Sequence, residues 1–512
     1  MMLYCRMVFL LLVGLYTSRV VLAQLGQEDF GVYNAVGGVV ALFSVISGAL
    51  SSAISRFLTF EMGSSENDSH GGTERLRQVF RSSVMIQLII GTTVLVLAEL
   101  IGVWFLNAKM VIPDGRMGAA NWVLQCSIVT FVINLLSVPY NAAIIAHERM
   151  KAFAYIGIFE GLAKLGVAFL LATAPIDMLV WYAALMCLVA IAVRGAYSIY
   201  CTRSFPECRR GKADTARSES EGTGALMKQM ISFAGWNFIG ASSAVLRDHG
   251  GNILINVFCG PAVNAARGLT TQLSGAVQGF VNNFMTALNP QITKSYASGD
   301  TDYLMKIVFR GAKFSFFLLM MISMPLIMNM DFVLDIWLKD VPAHTASFVI
   351  LALLFAISES LSNPLVTTQL ATGNIKKYQI IVGGLQLLNV PVSWTLLAIG
   401  LPPESVLVTA IVISQICLFA RLVLLRSMVG LDAAAFLKDV YLRTVPLLFL
   451  AAAIPYIIQH GAGSEWSIWT TMNGWGGFII SVLVCLVCSS LAILCFGLTS
   501  EEKEMISSRI FK

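Results

Sequence analysis

A chain of 512 residues that is 57% hydrophobic, only 12% charged and of mean hydropathy +0.77 is not a soluble globular protein, since such proteins carry about 25% charged residues. The composition makes it an all-α polytopic membrane protein with most of its mass in the bilayer, and the net charge of +5 has meaning only once it is divided by membrane side. The ten cysteines stand singly and mostly in apolar runs, Cys5, Cys126, Cys187 and Cys417 among them. No pair has metal or redox spacing, so they read as small packing residues and no metal or cofactor is expected.

Apolar runs bounded by polar or Gly/Pro clusters predict about fourteen spans, at 2–24, 32–56, 82–106, 119–146, 153–174, 178–200, 230–257, 262–289, 307–329, 345–371, 378–400, 404–425, 444–460 and 473–497. Each is near the roughly 20 residues that cross hydrocarbon. The first two form a hairpin turning through Leu25–Asn34, with Arg19 near the end of its first arm and Arg56 at the end of its second. Val21-Leu22-Ala23 fits the small-residue cleavage rule for a signal peptide. Arg19 just upstream, and the pairing of this arm with the next, argue that the segment is retained. The longest polar stretch, residues 202–229, mixes Arg203, Arg209, Arg210, Lys212 and Arg217 with Ser, Glu and Gly and reads as a flexible basic linker. The expected organisation is an N-terminal six-helix lobe at 1–201, this linker, a C-terminal six-helix lobe at 230–428, and two extra helices with a tail at 429–512.

Of the 34 Lys and Arg, 24 fall in loops after even-numbered spans, in the adjoining span ends (Arg56, Arg310 and Lys313) or in the C-terminal tail. Only three, Lys109, Arg116 and Lys339, fall in loops after odd-numbered spans. The positive-inside rule then puts both termini in the cytoplasm. A weak repeat supports the two lobes: Val79-Phe80-Arg81 recurs as Val308-Phe309-Arg310, and Leu136-Ser137-x-Pro139 as Leu361-Ser362-x-Pro364. Six spans per half, each half beginning on the same side, give parallel pseudo-symmetric repeats, an arrangement that holds transporter substrates between its halves.

Charges inside the spans carry the functional signal. Lys164 lies near the middle of span five with Glu160 one turn before it; Arg247-Asp248-His249 interrupts span seven; Arg19 and Arg267 lie in spans one and eight; Glu359 is central in span ten. Glu160–Lys164 and Arg247–Asp248 either neutralise each other locally or serve a substrate. Arg56, Arg194 and Arg421, nearer the cytoplasmic ends, can snorkel to the interface. Arg19 and Arg267 have no acidic residue one turn away. A cation left in lipid costs about 2.5–3.5 kcal/mol even on the lenient insertion scale, so these residues are expected to line a hydrated cavity. Cations at several depths suit an anionic cargo, with guanidinium groups matching phosphate oxygens. Pro139, Pro364 and Pro391 are either static kinks or hinges.

Leu25-Gly-x-x-Asp29-Phe-Gly31-x-Tyr33, Ser55-Arg56-Phe57-Leu58, Pro139-Tyr140-Asn141-Ala142 with Ala146-His147-Glu148-Arg149-Met150, and Gly260-Pro261-x-Val263-Asn264-Ala265-Ala266-Arg267-Gly268 resemble polysaccharide-biosynthesis flippases. These are the O-antigen and capsule repeat-unit flippases of the MATE-like multidrug/oligosaccharidyl-lipid/polysaccharide (MOP) exporter superfamily. The resemblance implies a V-shaped pair of six-helix lobes and transfer of an undecaprenyl-pyrophosphate-linked oligosaccharide from the cytoplasmic to the periplasmic leaflet of a bacterial inner membrane. By position, Arg19, Lys164, Arg247 and Arg267 are the candidates for the pyrophosphate, and Glu160, Asp248, His249 and Glu359 for ion coupling. Expected partners are the lipid-linked substrate, membrane lipids and the polysaccharide polymerase machinery, with no nucleic acid. An inside-negative potential would favour outward movement of the anion by about 2.3 kcal/mol per charge per 100 mV. The main rival is a cation-coupled multidrug exporter of the same superfamily, whose cavity would be led by carboxylates. A membrane enzyme needs a catalytic group outside the bilayer, and the short outer loops offer no suitable one. No nucleotide-binding loop is present.

Overall fold

The computed structural model describes residues 2–41, 44–65, 72–108, 112, 115–175, 177–209, 220–259, 261–338, 341–460, 475–499 and 502–504. All regular structure among them is helical. Among the described residues, nine helical runs are long and apolar enough to cross a membrane: Glu74–Ala108, Met117–Ala146, Met150–Thr173, Met178–Ser204, Thr301–Met328, Lys376–Ala398, Ser405–Val429, Ala433–Ile457 and Trp475–Gly497. Thr345–Ser360 and Asn363–Ala371, bent by 41°, make a tenth if they form one broken span. Side chains facing away from the protein are large and apolar, with Trp104, Val423 and Phe449 well exposed. Large apolar side chains exposed on such helices belong in lipid, and the chain is a multi-pass membrane protein.

The chain forms two compact units, Met1–Ala241 with Thr293–Gly299, and Ser242–Ile292 with Asp300–Lys512. The first contains α1 (Met2–Ala41), α2 (Ser44–Ser65), α3 (Gly72–Leu97), α4 (Val103–Ala108), α5 (Met117–Ala146), α6 (Met150–Leu170) and α7 (Met178–Ser204). Helix α5 is its hub, touching each of the other six. It is accordingly apolar around its circumference, as a surrounded helix must be. Helices α8 (Ser220–Cys259) and α9 (Pro261–Ala297) contribute to both units.

The second unit is completed by α10 (Thr301–Met328), α11 (Met330–Trp337), α12 (Thr345–Ser360), α13 (Asn363–Ala371), α14 (Lys376–Tyr378), α15 (Gly384–Leu387), α16 (Asn389–Ala398), α17 (Ser405–Val429), α18 (Ala433–Phe436), α19 (Leu442–His460) and α20 (Trp475–Ala492). Helix α10 packs on α12, α13, α19 and α20, and α17 on α12, α13, α15 and α16.

Three sequence expectations change. Of the fourteen expected spans, those at 2–24, 32–56, 230–257 and 262–289 fall on α1, α2, α8 and α9, which are not among the candidate membrane spans. Polar and charged residues dilute the apolar runs of α2, α8 and α9, and among the described residues α1 has only the shorter apolar helix Cys5–Gly14. The turn expected at Leu25–Asn34 is helical except at Gly26, whose φ of 77° and ψ of 171° break α1. Only glycine takes that conformation without strain. The stretch read as linker is structured at both ends. Helix α7 runs to Ser204, a short turn at Pro206–Cys208 buries Glu207 against His147 at 2.5 Å, and α8 begins at Ser220. Residues 210–219 lie outside the described ones.

Close contacts and caps fix the first unit. A Cβ at Gly63 would lie 2.6 Å from the Lys294 carbonyl oxygen and 2.9 Å from the Ala297 Cβ. Gly63→Ala is therefore expected to cost about 1–3 kcal/mol, read as a lower unfolding midpoint in detergent. Asp177 caps α7 by accepting from the Leu179 and Val180 N–H groups at 3.0 and 3.3 Å. Arg116 binds the carboxylates of both Asp177 and Asp29. Burial pushes the Asp177 carboxyl up, but Arg116 and the two N–H groups outweigh it and hold it below the usual range. With the folded value depressed, its stabilisation is present above the ordinary carboxylate range and is lost as pH falls through the folded value. Asp177→Ala should cost about 1 kcal/mol at neutral pH. The gap to the unaltered protein should close on acidification.

Candidate functional site

One cluster of charge within the helices lies in the second unit, where α8 meets α9. Leu254, Ile255, Ala266, Phe348, Leu397, Val406 and Leu407 form an apolar core there. Gly250 and Gly251 let α8 approach its neighbours: a Cβ at Gly250 would lie 2.8 Å from Val390 Cγ2, and one at Gly251 3.3 Å from Val406 Cγ1. One turn from this core, Arg247, Asp248 and His249 face a cavity of about 300 Å³ whose other wall is α9. Arg267, Thr271, Ser274 and Gln278 line that wall at intervals of four, three and four residues, a polar stripe along one helix face.

Arg247 donates to Asp248 through Nε at 3.0 Å and through a terminal nitrogen at 3.3 Å, and its Cζ lies 5.0 Å from the Phe355 ring centre. The local neutralisation weighed from sequence is thus present. Asp248 nevertheless remains 57% exposed at its side chain. The Arg267 Nε is buried and has no described partner. Counting His249 as neutral, Arg247 and Arg267 against Asp248 leave the cavity with one excess positive charge. A smaller chamber of about 180 Å³ shares Arg247, Gln278 and Phe355 with it and reaches Asn282, Glu359, Asn363 and Gln386.

Glu359 accepts from the Ser414 hydroxyl and lies 3.5 Å from an Arg421 terminal nitrogen. Arg421, expected to snorkel, is instead only 2% exposed. Its partner is on another helix, so pairing rather than interfacial water compensates the charge.

Lys164 and Glu160 lie in the first unit, paired at 2.6 Å on the wall of a cavity of about 480 Å³. Arg6, Thr17, Tyr33 and Tyr182 share that wall. Arg6 stacks over Phe153 at 4.3 Å, and its Nε is buried without a described partner. It packs so closely on Gly157 that a Cβ there would overlap its guanidinium. The Arg19 side chain lies outside the described residues.

Pro139 is inside the uninterrupted α5, Pro364 opens α13 at the 41° bend, and Pro391 lies in the first turn of α16. The structure therefore gathers Arg247, Asp248, His249 and Arg267 into one cavity, puts Glu359 in the adjoining chamber, and keeps Glu160 and Lys164 in a different unit. Sequence reasoning passed over Arg6, whose signal was a charge near the start of an apolar run, and the α9 stripe, whose signal was its helical period.

Residues 7–296, more than half of the chain, match the family model described as polysaccharide biosynthesis protein. An uncharacterised membrane protein, EpsK of Bacillus subtilis, is 21% identical over 98% of this chain and 95% of its own length. Among solved structures, a MATE transporter of Vibrio cholerae, VcmN in its bent form, aligns at a TM-score of 0.63 with 14% identity, covering 85% of this chain and 98% of the other. A MOP-superfamily transporter of Pyrococcus furiosus, described by the reverse polarity of its binding pocket, aligns at 0.67 with 12% identity, covering 85% and 95%. With the family match spanning most of the helices of the first unit and the fold likeness extending through both, the chain belongs to the polysaccharide biosynthesis protein family and has the fold of MATE-type transporters.

Proposed function

We propose that this protein is a flippase that carries undecaprenyl-pyrophosphate-linked oligosaccharide repeat units from the cytoplasmic to the periplasmic leaflet by alternating access. On this reading α1, α2, α8 and α9, which fall outside the ten candidate spans, are the remaining membrane-crossing helices of two six-helix lobes plus two. Of these, α9 carries the polar stripe Arg267, Thr271, Ser274 and Gln278 along the cavity wall. The observation that carries the reading is the excess positive charge of the cavity formed by Arg247, Arg267, Asp248 and His249. The cavity containing Arg6, Lys164 and Glu160 has the same excess. Polar cavities of this sign favour an anion and disfavour the cationic cargo of a multidrug exporter.

In this reading Arg247 and Arg267 bind the pyrophosphate, with Lys164, Arg6 and Arg19 serving it at another stage. Asp248, the more exposed carboxylate, is the group proposed for ion coupling. Glu359 is less suited, because protonating it would strand the buried Arg421. The bend before Pro364 is the proposed hinge. The test is transport in reconstituted vesicles: a fluorescent polyprenyl-pyrophosphate oligosaccharide should cross and cationic dyes should not. Dye export without lipid transfer would replace this reading with the multidrug one.

A further inference from the structure

The smaller chamber of the second unit differs in chemistry from the cavity it adjoins. The shared wall consists of Arg247, Gln278 and Phe355. Beyond it the lining side chains Asn282, Asn363 and Gln386 are uncharged amides, and Glu359 is a carboxylate already held by Ser414 and Arg421. Among the described residues, the hydrogen bonds at Asn282, Asn363 and Gln386 use their backbone carbonyls, which leaves these side-chain amides, with that of Gln278, facing the chamber. Local breaks hold two of them: Asn363 follows the 41° bend after α12, and Gln386 follows the π-helical turn at Gln379–Gly383.

A second phosphate does not fit this chamber, because its one lining cation, Arg247, already serves the pyrophosphate in the flippase reading and the amides supply no further charge. An acyl chain does not fit either, since it would bury unsatisfied amides. A hydroxylated ring does: every amide offers a donor and an acceptor in one plane, matching the paired hydroxyls of a pyranose, and Phe355 offers an apolar face. A space of about 180 Å³ has room for one such ring.

We propose that this chamber takes the sugar directly bonded to the pyrophosphate, and that Asn282 and Gln386 are specificity-determining residues for it. The inference rests on the flippase reading, which puts the pyrophosphate at Arg247 and Arg267. The shared wall then brings the first sugar into the chamber by covalent adjacency alone.

The test compares binding of bare polyprenyl pyrophosphate with that of polyprenyl-pyrophosphate monosaccharides bearing a hexose, an N-acetylhexosamine or a 6-deoxyhexose. The full chain is used in lipid nanodiscs. At least one monosaccharide should bind more tightly than the bare lipid. Asn282→Leu and Gln386→Leu, on separate helices, should each shrink that preference by about 2- to 10-fold. Arg267→Ala should weaken both kinds of probe together. Equal affinity for bare and glycosylated lipid across the panel would overturn the inference. So would a preference that survives both amide variants. Failure of every probe to bind would instead contradict the flippase reading, and the inference with it.

Discussion

Arg267→Ala is expected to reduce transport of the lipid-linked oligosaccharide by roughly 10- to 150-fold for each charge-assisted bond lost, at about 1.5–3 kcal/mol per bond. The guanidinium lies in the cavity beside Arg247, and its Nε has no described partner to occupy it. An alanine removes a cation that is stabilised by no ion pair among the described residues, so the unfolding midpoint should hold or rise while transport falls. Arg267→Lys, which keeps the charge and loses the planar fork, should recover only part of the rate. A transport rate in Arg267→Ala equal to that of the unaltered protein, at equal membrane abundance, would remove Arg267 from the substrate path.

The largest expected effect on stability lies elsewhere. Lys313 on α10 is paired with Glu502, in the segment after α20, at 2.5 Å, and the two side chains are 4% and 3% exposed. The Thr499 N–H donates to the same carboxylate at 2.9 Å. Glu502→Gln preserves the shape and leaves the Lys313 charge buried without its partner, which should cost about 3–5 kcal/mol. Replacing both residues with apolar ones, Lys313→Met with Glu502→Leu, should restore most of the loss, because no charge then stays buried. Denaturant titration in detergent separates the single and double variants. Burial acts to raise the Glu502 carboxyl, but Lys313 and the Thr499 N–H more than offset it, so the group lies below its ordinary range. The pair accordingly stabilises the fold above the usual carboxylate range and releases the tail as pH falls through the depressed value.

The spans with outward-facing apolar surface were legible because hydropathy records lipid exposure. Arg247, Asp248 and Arg267 were legible for the opposite reason: a charge in an apolar run is costly wherever it has no wet wall or partner. Arg421 was misread because sequence reports depth along its own helix and not the partner at Glu359, 62 positions earlier. The break at Gly26 was concealed inside a longer turn-rich stretch, where one glycine alone carries the unusual dihedral angles. The matched prolines differ because context decides what a proline does. Around Pro139 helix α5 continues, whereas Pro364 follows the turn at Leu361–Ser362 and starts a new helix, where its missing N–H costs nothing. The stripe Arg267, Thr271, Ser274, Gln278 was present in the sequence as a helical period, but only the position of α8 shows that it lines a cavity.

The central claim is that the cationic cavities move a lipid-linked oligosaccharide, and one measurement in the source organism addresses it. Deleting the gene, then restoring either the unaltered chain or one carrying Arg247→Ala with Arg267→Ala, allows the lipid-linked intermediate to be quantified in each strain. Accumulation on deletion, clearance by the unaltered chain and persistence with the double variant is the predicted result. A deletion strain with no accumulated intermediate and normal surface polysaccharide, but altered sensitivity to cationic drugs, would contradict the account and turn attention to Glu160, Asp248 and Glu359.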